Sequence, residues 1–124
     1  MLYSILIYGS EAHVAAWAPD QEDDVLGRHA ELRQQLRAEG RMGPVMRLAP
    51  DAAGTVLRVG SGEPLVTDGP FAETKEQLMG LYFLECATLD DAVAAARRLS
   101  FETGVFEIRP VVWFDPGMLP PHTP

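Results

Sequence analysis

Three histidines, at positions 13, 29 and 122, are the side chains in this 124-residue chain best suited to moving a proton near neutral pH. Their spacing resembles no zinc or iron site, so no metal is expected. His29 stands apart because it falls in a pattern. Val25, His29, Leu32 and Leu36 recur at intervals of four, three and four, which places the imidazole on the apolar stripe of a helix. Burial there lowers a histidine pKa, and a neighbouring carboxylate raises it again. A ring so paired holds one tautomer and works as a general acid or base. The plainer alternative is a core-edge histidine bonded to a backbone carbonyl.

A second group is charged. Glu73, Lys75 and Glu76 place three charges in four residues, and Lys75 is the only lysine. They suit either the rim of a pocket, with Lys75 binding a polar ligand, or a surface network that reaches Arg109. Exposed pairs contribute only about 0–1 kcal/mol, so recognition or register is a better use for them than stability. Glu107 and Arg109 alternate on one face of the last strand. Charges are costly against a dry core, so that face is expected to meet a cavity, the charged loop or a partner. Cys86, the only cysteine, rules out an intramolecular disulfide and ends an apolar run, where a core thiol is expected rather than a nucleophile. No CxxC, HExxH, glycine-rich phosphate loop or nucleophile elbow occurs, and no cofactor is expected.

These groups need elements to hold them. Residues 2–8 are apolar on both faces apart from Ser4, which predicts a central strand. Residues 11–18 are ambiguous, with Trp17 expected to cover a core edge rather than line a pocket mouth. Pro19-Asp20 opens a helix that ends at Gly40, with Asp20 as the expected N-cap and Glu22, Asp23 and Asp24 crowding its first turn. A short strand follows at 45–48. Residues 55–59 and 63–67 predict a hairpin closed by Gly60-Ser61-Gly62, and Pro64 assigns it to a sheet edge. Asp68-Gly69-Pro70 is a rigid turn, with Phe71 expected to anchor it to the core. Residues 72–77 predict a helical turn before a strand at 81–86. Thr88 and Asp91 form a capping box for a second helix striped by Leu89, Ala92, Val93, Ala96 and Leu99. A final strand spans 105–112. Residues 1–114 form one domain and 115–124 a proline-rich tail.

The order strand, helix, strand, hairpin, strand, helix, strand predicts an α+β fold, two main helices lying on one face of an antiparallel sheet. The other face is left bare, which gives a homodimer a physical reason. Net charge is −8, with 10 Lys and Arg against 18 Asp and Glu, so a nucleic-acid partner is not expected. The apolar N-terminus is too short to span a bilayer and lacks the basic start of a signal peptide. A cytoplasmic protein without membrane contact is therefore expected.

Residues 68–80, DGPFAETKEQLMG, resemble the signature of the DGPF branch of the YCII-related family, and the likeness runs from the first strand to Glu107-Ile108-Arg109-Pro110-Val111. The resemblance implies a ferredoxin-like, dimeric α/β-barrel fold. It also implies a His–Asp active site, with His29 at the matching helix position and Asp68 as the carboxylate paired with it. Under that reading the protein is a small cofactor-independent lyase or hydrolase acting on a small molecule. His29 would be its acid or base, Asp68 the orienting group, and Glu73, Lys75 and Arg109 ligand contacts. The alternative implied by the family is a non-catalytic regulatory module that partners an extracytoplasmic-function sigma factor. In the plainest reading of the turn, Asp68 merely braces it.

Overall fold

The computed structural model describes residues 1–123. Its main sheet has four antiparallel strands in the order β2 (Met42–Arg47), β5 (Gln77–Glu85), β1 (Leu2–Gly9) and β6 (Val105–Pro110). That order is the ferredoxin-like arrangement, in which each strand–helix–strand half is split by a strand of the other. β1 is central, as its two-sided apolar sequence predicts: Ile5 pairs with Tyr82 on one side and Ile108 on the other. The sheet is open, and no barrel is closed among the described residues.

Alternation along the strands decides the layers. Tyr3, Ile5 and Ile7 of β1 join Tyr82, Leu84 and Cys86 on the face covered by α2 (Pro19–Ala38) and α3 (Leu89–Arg98). Leu32 and Leu36 of α2 meet Ala92, Ala95, Ala96 and Leu99 of α3 and its C-terminal end in the same core. The three alanines let α3 lie close to the sheet. Cys86 is buried there, as expected of a core thiol.

Helix ends are satisfied locally. The Thr88 hydroxyl accepts from the Asp91 amide while the Asp91 carboxylate accepts from the Thr88 amide, so the expected capping box forms. α2 starts slightly earlier than Asp20 predicts. Pro19 takes the first helical position, where its missing N–H is no loss, and the Gln21 side chain accepts from the Ala18 amide. Gly40 ends the helix in the left-handed region (φ +67), and the Arg41 amide reaches back to the Leu36 carbonyl.

Other expectations change. The ambiguous segment after β1 forms a short helix, α1 (Glu11–Ala15), with Ser10 as its cap. The hairpin forms as β3 (Thr55–Arg58) and β4 (Leu65–Asp68), but it is a separate two-stranded sheet rather than an edge of the main one. Phe71 is 71% exposed and stacks under Arg58, 5.0 Å from its ring centroid, so it does not anchor the turn to the core. Residues 72–77 form bends, without the expected helical turn.

The face of the main sheet turned away from the helices carries Leu6, Leu81 and Phe83, all partly exposed. After β6 the chain crosses this face: Phe114 packs on Phe83 with centroids 5.9 Å apart. Trp113, Met118 and Leu119 of the same segment are exposed. Among the described residues no helix is long and apolar enough to cross a membrane.

Candidate functional site

The apolar stripe of α2 serves two purposes along its length. Leu32 and Leu36 seal the core, whereas Val25 and His29, nearer the N-terminus, face a cavity of about 510 Å³ between helix and sheet. Ile7, Met79 and Tyr82 form its floor, and Val45, Met46 and Arg47 of β2 form one side. Trp17 and Phe101 close the end, edge to face with centroids 5.6 Å apart. Trp17 therefore lines the cavity, not merely the core edge expected of it. Gly80 lines the cavity where β5 runs beside β2: a Cβ there would sit 2.5 Å from the Met46 carbonyl oxygen. Only glycine lets the strands pair at that point.

His29 is fixed by a partner from another element. Its Nδ1 lies 2.7 Å from the Tyr82 Oη, and Arg33, one helical turn further along, donates from Nη1 to the same oxygen at 3.3 Å. Burial, reinforced by the charges of Arg33, Arg28 and Arg47, lowers the His29 pKa from 6.5 to about 4. Burial also raises the Tyr82 pKa, with Arg33 opposing it. Both groups are therefore neutral at pH 7.

Proton placement follows from these contacts. Because Arg33 donates to the phenol oxygen, the single hydroxyl hydrogen is free to point at Nδ1. With Tyr82 as the donor the neutral ring carries its proton on Nε2, and with Tyr82 as the acceptor it carries it on Nδ1. No protein group bonds Nε2 among the described residues, and no buried side-chain nitrogen or oxygen there lacks a partner. Nε2 is therefore open to the cavity. The arrangement fixes the ring through Nδ1 and leaves Nε2 facing the cavity.

The arginines differ in occupation. Arg28 is committed to Asp24 at 3.3 Å and to the carbonyls of Arg98 and Ser100 at 2.9 and 2.7 Å. Arg33 and Arg47 line the cavity without a carboxylate partner among the described residues. Of the two carboxylates in the wall, Glu11 already accepts the Asp51 amide at 3.1 and 3.2 Å. Glu22 is the other, near the start of α2.

Of the candidate catalytic and ligand-binding residues His29, Asp68, Glu73, Lys75 and Arg109, only His29 lines this cavity. Asp68 is exposed at the end of β4, opposite Thr55, and the bond expected from it to His29 is made by Tyr82 instead. Glu73 and Lys75 are exposed in the irregular segment before β5. Arg109 pairs with Glu107 at 2.9 Å rather than with that segment. Its strand neighbour Ser4 alternates with the core residues of β1, which places the pair on the sheet face away from the helices. Tyr82, Arg33 and Arg47 were not singled out. Signals existed for the first two: a tyrosine in a buried strand needs a partner for its hydroxyl, and Arg33 is four residues from His29 on the helix.

Residues 1–115 match the YCII-related domain family. The chain is also 43% identical, over 123 residues, to an uncharacterized protein of Rhizobium meliloti (strain 1021), covering 97% of this chain and 99% of that relative.

Proposed function

The chain belongs to the YCII-related domain family, and from that premise we propose that it is a small cofactor-independent enzyme whose reaction is assisted by the His29 Nε2–H. The observation that carries this reading is the 2.7 Å contact between His29 and Tyr82 on the wall of an apolar cavity. A base with a pKa of about 4 abstracts protons poorly at pH 7. A neutral imidazole with a fixed N–H is instead a good donor to an oxygen that gains charge during reaction. Lyase or hydrolase chemistry on a small molecule fits such a donor. His29 polarises the reacting oxygen through a hydrogen bond, Tyr82 holds the tautomer, and Arg33 holds Tyr82.

A panel of small ketones, esters, phenols and acids screened by protein NMR tests this reading. Binders are expected to shift the resonances of Trp17, His29 and Tyr82 together, and His29→Ala is expected to weaken them about tenfold. Conversion of a bound ester or halide by the native protein, lost in His29→Ala, would establish turnover. Binders that perturb only other surfaces would count against the site.

In the same reading the working unit is a homodimer joined through the sheet face away from the helices, where Leu6, Leu81 and Phe83 lie partly exposed and Phe114 packs on Phe83. The Glu107–Arg109 pair on that face suits a twofold contact, each charge meeting its opposite across the axis. Sedimentation equilibrium is expected to give twice the chain mass, and Phe83→Asp the mass of one chain. A monomeric native protein at high concentration would contradict it.

A further inference from the structure

The charges around the cavity are divided unevenly, and the division bears on what enters it. We infer that the ligand is a small carboxylic acid with an apolar body, its carboxylate held by Arg33 and Arg47 beside the His29 Nε2–H. This rests on the reading of the cavity as a small-molecule site and adds the class of molecule.

Donors gather near His29, on which both Arg33 and Arg47 act electrostatically. Arg33 comes from α2 and Arg47 from β2, so two elements bring guanidinium groups to the same space with no carboxylate to neutralise either among the described residues. Charge-assisted bonds to guanidinium groups are among the strongest that a site can offer, and their geometry matches a carboxylate. His29 itself adds a neutral donor. The acidic wall residues do not compete: Glu11 is occupied by the Asp51 amide. Glu22 precedes His29 by seven residues, about 10 Å along the helix axis.

The remaining lining sets the body. Trp17, Val25, Leu26, Met79 and Phe101 offer aromatic and aliphatic surface. The volume of about 510 Å³ falls within the usual range for small-ligand sites. A phosphate is a poorer match. The positive end of α2 lies at Pro19, away from the arginines, and no glycine-rich loop supplies amide donors. The net charge of −8 repels anions in general, so an anion that binds must be drawn by this local pair.

Titration of 3-phenylpropionate and of 3-phenylpropionamide into the native protein, followed by NMR, separates the alternatives. The acid is expected to bind at least about tenfold tighter than the amide, equivalent to about 1.4 kcal/mol. Arg47→Gln, an exposed substitution outside the core, is expected to remove that preference and leave the amide unchanged. A second readout is the titration of His29 itself. The charged and titratable groups around it are Arg28, Arg33, Glu22, Arg47, Tyr82 and Glu11. A bound carboxylate offsets the arginines and raises the His29 pKa, whereas the amide has no charge to do so. Equal affinity for acid and amide would overturn the carboxylate and leave the cavity as a neutral-ligand site. Failure of both at millimolar concentration would also overturn it, and the broader panel above then decides separately whether the cavity binds small molecules at all.

Discussion

Replacing Tyr82 by alanine is expected to lower the folding free energy by about 3–5 kcal/mol, the largest effect of any single change near the site. The ring is 2% exposed, sits at the centre of β5 and packs in the same core as Ile5, Leu36 and Leu84. Its removal leaves a cavity between sheet and helices that so small a domain cannot readily fill. Tyr82→Phe separates the ring from its hydroxyl. That variant keeps the packing and loses the bonds to His29 Nδ1 and Arg33, at an expected cost of about 1–2 kcal/mol. Urea denaturation of the three proteins measures both. Equal loss in the two variants would mean that the hydroxyl network, not the ring, holds this part of the core.

The second large effect is a dependence of stability on pH. His29 binds its proton near pH 6.5 in the unfolded chain and only near pH 4 in the folded one. Between those values the unfolded state binds more protons, so stability falls as the pH is lowered through this window and levels off below about 4. His29 is only part-buried, and after allowance for solvent screening the loss is expected to be about 1–2 kcal/mol. Burial holds the Glu11 carboxyl above its ordinary value, and hydrogen bonds from Gln35 and Arg41 hold that of Glu39 below, so other groups also contribute to the pH profile. Subtracting the profile of His29→Gln isolates the histidine. Parallel profiles for native protein and variant would show that the ring is not desolvated.

How much of this was legible in the sequence depends on the range of each interaction. The strands, the helices and the capping box were readable because their signals are local: alternation in residues 2–8, the four-three-four spacing around His29, and Thr88 three residues before Asp91. His29 was found for the same reason. Its partner was not, because Tyr82 is 53 residues away and reads simply as one more apolar position of a buried strand. Asp68 was paired with His29 through a resemblance. Where that aspartate lies depends on how the hairpin docks, and the hairpin has no core residue to fix its position: Leu57, Leu65 and Val66 are all exposed. A hairpin can be predicted from glycines and alternation, but its docking cannot. The same holds for Arg47, whose entry into the cavity follows only from the pairing of β2 with β5.

The most direct test of the account is a nitrogen-15 NMR titration of the His29 ring in the native protein, Asp68→Asn and Tyr82→Phe. The expected result is a pKa of about 4 with the neutral proton on Nε2 in the native protein. Asp68→Asn is expected to leave both unchanged. In Tyr82→Phe the pKa is expected to rise and the tautomer to lose its preference, because the hydroxyl favours the neutral ring. A native pKa at or above 6.5, or a shift of a unit or more in Asp68→Asn with none in Tyr82→Phe, would contradict it and return the carboxylate to the site.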